Sequence, residues 1–496
     1  MEDSTRTIAK GAVIVFIGLI ISKIFTYLYR ILLARGLGPE AYGIFSLCFA
    51  IVSFLTAMSK FGVPSALERY IPIYLKDKSR LKGIITFSLR TAFIVSLILA
   101  VLTFVFSSNI AVWLNSPEIS EVLKIFSLSI PFIVLLSLLV SISKGFKNIL
   151  YPTISFNLIY PSFNLLLAGM LIYMGYGVVS IAIAFFAANV LALLFLVLKI
   201  ETKIFSFTAK IKPVFMNSEI LKYSVPLLFV AISYLIIGWT DTIMLGYFES
   251  ETVVGLYNAA LPTAALMMFA PSVLVPLLLP VFSSLMSKKK NNQISNLYKT
   301  VSYWTVLINL PLLMLFFAAS NLILKILFGD IFTTASFAFI VLSAGFFMKS
   351  LAVPSIKMME LHKQTKTIFW IILSSALLNV LLNLAMIPRY GMDGAAISSA
   401  ISFLIIFLAV SFIVFIKHKI YFVSKRMLKA IITTVVVFAP FLYVYETLLP
   451  RTLITVIVLA AVSGSIYFVL SYLFVFSSDD KALIKKLFSK ITRLNI

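Results

Sequence analysis

The sequence predicts an all-α polytopic membrane protein with about fourteen transmembrane helices, on three observations. Of its 496 residues 61% are hydrophobic and only 12% are charged, with a mean hydropathy of +1.09, far from the composition of soluble domains. Apolar runs of about 20 residues, each able to cross a hydrocarbon core of roughly 30 Å, follow one another with little sequence between them. Lys and Arg gather in alternate loops, as they do in a chain threaded back and forth through a bilayer.

In chain order the spans lie near 11–34, 41–63, 83–107, 121–142, 153–173, 177–198, 223–247, 253–285, 300–320, 334–354, 367–388, 394–416, 429–449 and 452–476. The first is too long for a signal-peptide apolar region and carries Lys23, so it is expected to remain as a span. It stops at the turn signal Gly36-Leu37-Gly38-Pro39, and the second begins at once. Pro131, Pro161, Pro311 and Pro440 fall inside the fourth, fifth, ninth and thirteenth spans, and Pro262, Pro271, Pro276 and Pro280 inside the eighth. Each removes a backbone hydrogen bond and displaces the preceding turn, so broken helices are expected where neighbours or cavity water satisfy the freed carbonyl. After the last span, Asp479 and Asp480 precede Leu483, Leu487, Ile491 and Leu494 on one helical face with lysines on the other, the pattern of an amphipathic tail on the inner leaflet.

With the N-terminus inside, 32 Lys and Arg fall on the inner side, five (Arg35, Lys124, Lys325, Arg389, Arg451) on the outer side and four within spans. Both termini are therefore expected in the cytoplasm and the chain in the cell membrane. The net charge of +23 is a topology signal spread over short loops, not a patch for nucleic acid. Cys48 is the only cysteine, and the two histidines, His362 and His418, stand alone in separate loops. That excludes a disulfide framework and gives no Cys/His metal site, so neither metal nor cofactor is expected.

An internal repeat is visible at one period. A shift of 212 residues lays Ile31-Leu32-Leu33-Ala34 on Ile243-Met244-Leu245-Gly246 and Gly43-Ile44-Phe45 on Gly255-Leu256-Tyr257, and a shift of 214 lays Tyr176-Gly177 on Tyr390-Gly391. Lys144 meets Lys357 at 213. These matches describe two six-span halves in the same order. The expected domains are a first lobe at 1–200, a cytoplasmic linker at 201–222, a second lobe at 223–417, two further spans at 427–476 and a basic tail at 478–496. Six is even, so both halves start inside, and a substrate site is expected between them near mid-membrane.

Three stretches carry a family resemblance: Leu33 through Gly43, Gly246-Tyr247-Phe248 with Val254 through Ala260, and Asn379 through Ala396. On these the chain resembles the polysaccharide and O-antigen flippases of the multidrug/oligosaccharidyl-lipid/polysaccharide exporter superfamily. The resemblance implies a V-shaped pair of pseudo-symmetric lobes that alternate between inward-open and outward-open states. Its implied cargo is a lipid-linked oligosaccharide, with the bilayer and polysaccharide-assembly enzymes as partners and a monomer as the working unit. Relatives that export small amphiphiles by ion coupling typically use an acidic residue in the first half, where this chain's spans hold only cations. An ion-coupled exporter is the competing reading within transport. A membrane-embedded glycosyl or phosphoglycosyl transferase is the competing enzyme, but no loop carries the paired acids such chemistry needs.

A polyprenyl diphosphate bearing sugars needs a wet, cationic cleft to cross hydrocarbon. Lys23 and Arg30 are seven residues apart, about two turns or roughly 10 Å of rise, and share one face of the first span. Arg90, about two turns into the third span, offers a bidentate fork to the same diphosphate. For Arg30 and Arg90 the competing reading is a side chain snorkelling to the headgroups. Asp241, within Gly238-Trp239-Thr240-Asp241-Thr242, is a carboxylate deep in a span. It aligns in the repeat with Tyr29, next to Arg30, so Arg30 and Asp241 are expected to form an outer gate or coupling pair.

Overall fold

The computed structural model describes residues 2–288, 290–447, 452–478 and 480–482. In order the helices are α1 (Glu2–Ser59), α2 (Val63–Ile73), α3 (Lys78–Val105), α4 (Ser107–Trp113), α5 (Ile119–Gly145), α6 (Leu150–Pro152), α7 (Tyr160–Tyr173) and α8 (Val178–Lys203). They continue with α9 (Asn217–Phe248), α10 (Glu251–Ala264), α11 (Phe269–Ser287), α12 (Asn291–Phe328), α13 (Ser336–Leu361), α14 (Thr365–His418), α15 (Lys425–Thr447) and α16 (Leu453–Leu470). No strand occurs among the described residues. The expected amphipathic tail helix, from residue 483 on, lies outside them.

Twelve described helical stretches are long and apolar enough to cross a membrane. Two of these, Ile17–Ile73 with 57 residues and Thr365–His418 with 54, are far longer than the roughly 20 residues of one span and are broken inside. The breaks fall at Gly38 (φ 82°), followed by Pro39, and at Gly391 (φ 55°). Only a residue without a β-carbon adopts these dihedrals cheaply, and the chain turns back there. Counting each as two crossings returns the fourteen spans of the sequence.

The eighth span is broken as its prolines predict: α10 ends at Ala264, a 3₁₀ turn covers Ala265–Met268, and α11 follows. Ahead of Pro161 the fifth span opens into a π-helix, Thr153–Ile159. In contrast, α5 and α15 run through Pro131 and Pro440, and α12 leaves helical dihedrals at Ala319, beyond Pro311. A proline bends a helix without always breaking it. The segment expected as a plain loop after the second span holds α2, because Val63, Ala66, Leu67 and Ile71 recur at helical spacing and bury one face.

The chain divides into two units. One comprises Met1–Ala259 and Asn383–Ala395, the other Ala260–Leu382 and Ala396–Ile496. In the first, the rings of Phe45, Phe126 and Phe185 pack with centroids 4.9 to 6.5 Å apart, joining α1, α5 and α8. There too α1 crosses α10 at a pair of glycines. A β-carbon on Gly43 would strike the Glu251 carbonyl, and one on Gly255 the Pro39 carbonyl. Residues 43 and 255, like 39 and 251, are 212 apart, so the sequence repeat reappears as a reciprocal contact.

In the second unit α15 and α16 dock on α12 through Tyr303, Leu307, Phe438 and Tyr467. The Tyr467 hydroxyl donates to the Leu307 carbonyl (3.0 Å) and accepts from Thr434 (3.2 Å), so this buried hydroxyl is satisfied. At the break of the eighth span Asn309 on α12 donates to the Met267 carbonyl (2.7 Å), the kind of rescue a broken membrane helix requires.

Candidate functional site

The first unit contains a cavity of about 50 Å³, room for a few waters, that Arg30 lines with Tyr29, Tyr42, Tyr160, Asn164, Trp239 and Asn258. Three features of the chain bring these together. The break at Gly38 folds the second half of α1 back so that Tyr42 faces the cavity. The π-helix ahead of Pro161 directs Tyr160 and Asn164 into it, and α1 can approach that segment because Gly18 packs on Thr153 without a side chain of its own. The short link between α9 and α10 sets Trp239 and Asn258 in the remaining wall.

The polar groups form a directed chain. The Arg30 guanidinium lies beside the Tyr42 side chain in the cavity wall. The Tyr42 hydroxyl donates in turn to the Asn258 carbonyl (3.1 Å). The Asn258 side chain accepts from Thr242 (3.2 Å) and donates to the Val254 carbonyl (2.9 Å). One residue earlier on each helix, Tyr257 donates to Asp241 Oδ2 at 2.5 Å. Asn383 on α14 donates to Asp241 Oδ1 at 2.7 Å. Asp241 is 4% exposed, so both carboxylate oxygens are held by neutral donors in a dry setting. On the opposite wall the Tyr29 hydroxyl and Asn164 Oδ1, both buried, neighbour each other without a formed hydrogen bond. A guanidinium beside such polar atoms suits a ligand with anionic and hydroxyl oxygens.

Of the residues singled out from the sequence, Arg30 lines the cavity, whereas Asp241 is not among its lining residues and is bonded to Tyr257 and Asn383, Asp241 and Tyr257 being the chain neighbours of the Thr242–Asn258 contact. Lys23 is exposed on α1, and Arg90 exposed on α3. Neither is among the residues that line the Arg30 cavity. The sequence reading missed Tyr42, Tyr160, Asn164, Tyr257, Asn258 and Asn383 as site residues. Their signal was present in part: Tyr42, Tyr257, Asn258 and Asn383 lie in the stretches that carry the family resemblance, read there as turn and packing signals. Lys349 is a further cation inside a span to which the sequence reading gives no role. Among the described residues no group of three or more His, Cys, Asp or Glu is placed to hold a metal ion.

The fold and this site define a multi-pass membrane protein with a cation-bearing cavity inside one helical unit. Residues 8–286, more than half of the chain, match the family model described as polysaccharide biosynthesis protein, and the chain belongs to that family. The probable low-salt glycan biosynthesis flippase Agl15 of Haloferax volcanii is 25% identical over 400 residues, 80% of this chain and 81% of that one. The fold is also that of the lipid II flippase MurJ in an inward closed conformation, with a TM-score of 0.76 over 93% of this chain and 98% of that one at 17% identity. An inward-facing multidrug resistance MATE family transporter of the MOP superfamily gives 0.68 over 82% and 98% at 15% identity. At these identities the likeness to solved structures is one of fold.

Proposed function

We propose that the protein flips a lipid-linked oligosaccharide or polysaccharide precursor, carried on a polyprenyl diphosphate, to the outer leaflet by alternating access. The observation that carries this reading is Arg30: a guanidinium on an apolar span that lines a cavity with tyrosine and asparagine side chains, in a chain of the polysaccharide biosynthesis family. A diphosphate presents paired anionic oxygens that a guanidinium fork binds bidentately, while the isoprenoid tail stays in lipid. No bond is made or broken, and the protein supplies only a path on which charge and sugar remain solvated.

In this proposal Lys23 and Arg90 lie along the entry route and hand the diphosphate to Arg30, and Asp241 acts with Arg30 as the gate. An oxyanion arriving at Arg30 competes with the Tyr42 hydroxyl. Loss of that contact loosens the Tyr42–Asn258–Thr242 chain beside Asp241. A typical hydrogen bond is worth about 1 kcal/mol net, so each link favours closure without locking it, and the ligand supplies the differential interaction that a population shift requires. The two repeated halves, 1–200 and 223–417, are the bodies that move, with both termini in the cytoplasm. The protein works as a monomer, alongside the polysaccharide-assembly enzymes that make and use the cargo.

Depletion of the protein tests the reading. Lipid-linked sugars are expected to accumulate on the inner leaflet, and wild type but not Arg30→Gln should clear them. If nothing accumulates and drug sensitivity rises instead, the protein is an ion-coupled exporter of small amphiphiles, the reading that the MATE-like fold would then favour.

A further inference from the structure

Two polar side chains that line the Arg30 cavity hold buried atoms without a partner. Neither the Tyr29 hydroxyl nor Asn164 Oδ1 forms a hydrogen bond among the described residues, although Tyr29 is only 6% exposed and Asn164 4%. A buried polar atom left unpaired costs free energy, so both residues call for something inside the cavity. Much of the remaining lining is aromatic. The Phe49 ring stands 5.4 Å from that of Trp239, 5.8 Å from Phe185 and 6.1 Å from Phe45, and all four line the cavity.

A cation, two unpaired hydrogen-bonding groups and a continuous ring surface thus share one small space. Water satisfies the unpaired groups and gains nothing from the rings, whereas a bare diphosphate uses the cation alone. A cationic amphiphile would suit the rings but meet the like charge of Arg30. A pyranose has apolar C–H faces and a rim of hydroxyls, and it matches the rings and the polar groups at once. We propose that this cavity receives the sugar attached to the diphosphate, its ring face on Trp239 and its hydroxyls on Tyr29 and Asn164. The assignment rests on the flippase reading above and names the residues that recognise the cargo as a sugar. At about 50 Å³ the cavity has room for a few waters, so the sugar takes their place as the site widens. The π-helix Thr153–Ile159, shortly before Asn164, is where that wall can shift its hydrogen-bond register.

The experiment uses the full chain in nanodiscs of neutral phosphatidylcholine. Its probes are farnesyl diphosphate and the same lipid bearing glucose, galactose or N-acetylglucosamine. Affinities and the thermal midpoint without probe are measured for wild type, Tyr29→Phe, Trp239→Leu, Trp239→Phe and Arg30→Gln. Wild type is expected to bind the best of the sugar-bearing probes about tenfold more tightly than farnesyl diphosphate. Tyr29→Phe and Trp239→Leu should each reduce that gain about fivefold without changing the affinity for farnesyl diphosphate, and Trp239→Phe, which keeps a ring face, should retain most of it. The probe-free midpoint of Tyr29→Phe should be no lower than that of wild type, because the variant removes an unpartnered hydroxyl, and this separates recognition from folding. Arg30→Gln should weaken all the probes alike. If none of the three sugars adds affinity in wild type, or if Tyr29→Phe or Trp239→Leu keeps the full gain, the sugar subsite is overturned. In those cases binding of farnesyl diphosphate that Arg30→Gln abolishes leaves the flippase reading standing. Wild type that binds no probe removes the flippase reading first, and this subsite with it.

Discussion

Asp241 separates the cost of a residue from its use. Its carboxylate is buried and accepts from Tyr257 and Asn383, so removing either donor takes one hydrogen bond from a buried carboxylate. Tyr257→Phe and Asn383→Leu are each expected to destabilise the protein by about 1 to 3 kcal/mol, read as a fall in thermal midpoint of the purified protein. Asp241→Asn keeps the shape: its amide oxygen still accepts from Asn383, and its NH₂ can donate to the Tyr257 hydroxyl in place of the lost bond. The expectation is stability within about 1 kcal/mol of wild type but a strong loss of transport, and an Asp241→Asn variant that transports normally would remove the carboxylate from the mechanism. Arg30 and Asp241 were legible in the sequence because a charge inside an apolar run stands out on its own. Tyr257 and Asn383 were not, since uncharged polar residues recur throughout these spans, and Asn383 reaches Asp241 from 142 positions away, a pairing no local pattern encodes.

At the scale of elements, the crossing of α1 and α10 is set by absent side chains. Gly43 and Gly255 each lie against the other helix's backbone carbonyl, where no flexible side chain can yield to an added methyl. Gly43→Ala and Gly255→Ala are each expected to cost about 1 to 3 kcal/mol, and by the symmetry of the contact to similar extents. The double variant should cost less than the sum, because both methyls push the same two helices apart. Gly464→Ala on α16, where no atom approaches within 4 Å, is the control and should be neutral or slightly stabilising. Thermal unfolding of the four proteins checks this, and a Gly43→Ala variant as stable as the control would show that the crossing tolerates separation. The helix breaks at Gly38 and in the eighth span were legible because glycine and proline act locally. The kink at Ala319 and the uninterrupted passage of α5 through Pro131 were not, since how far a helix bends depends on what packs against it.

For the whole molecule, the span count and its orientation are one proposition. Among the described residues, ten single stretches and two broken double ones are long and apolar enough for fourteen crossings, an even number that would leave the two ends of the chain on one side. The 32 inner and five outer Lys and Arg of the sequence reading make the cytoplasm the expected side, as proposed above. Miscounting one span would exchange the sides of every later loop and send the lysine-rich C-terminal segment outward, against the cost of translocating it. Labelling measures this directly. Cys48 is buried, with a weak 3.9 Å contact from its thiol to the Ile119 carbonyl, so Cys48→Ser should fold and provide a background free of thiols. On that background Ser287→Cys, exposed at the end of α11, should react with a membrane-impermeant maleimide only after the inner face is opened. Asp330→Cys, at a position whose carboxylate is 79% exposed beside Lys325, should react in intact cells. Reaction of the Ser287 variant in intact cells would require an odd number of crossings before α12, and the two equivalent six-span halves on which the gate is built could not then both start from the cytoplasm.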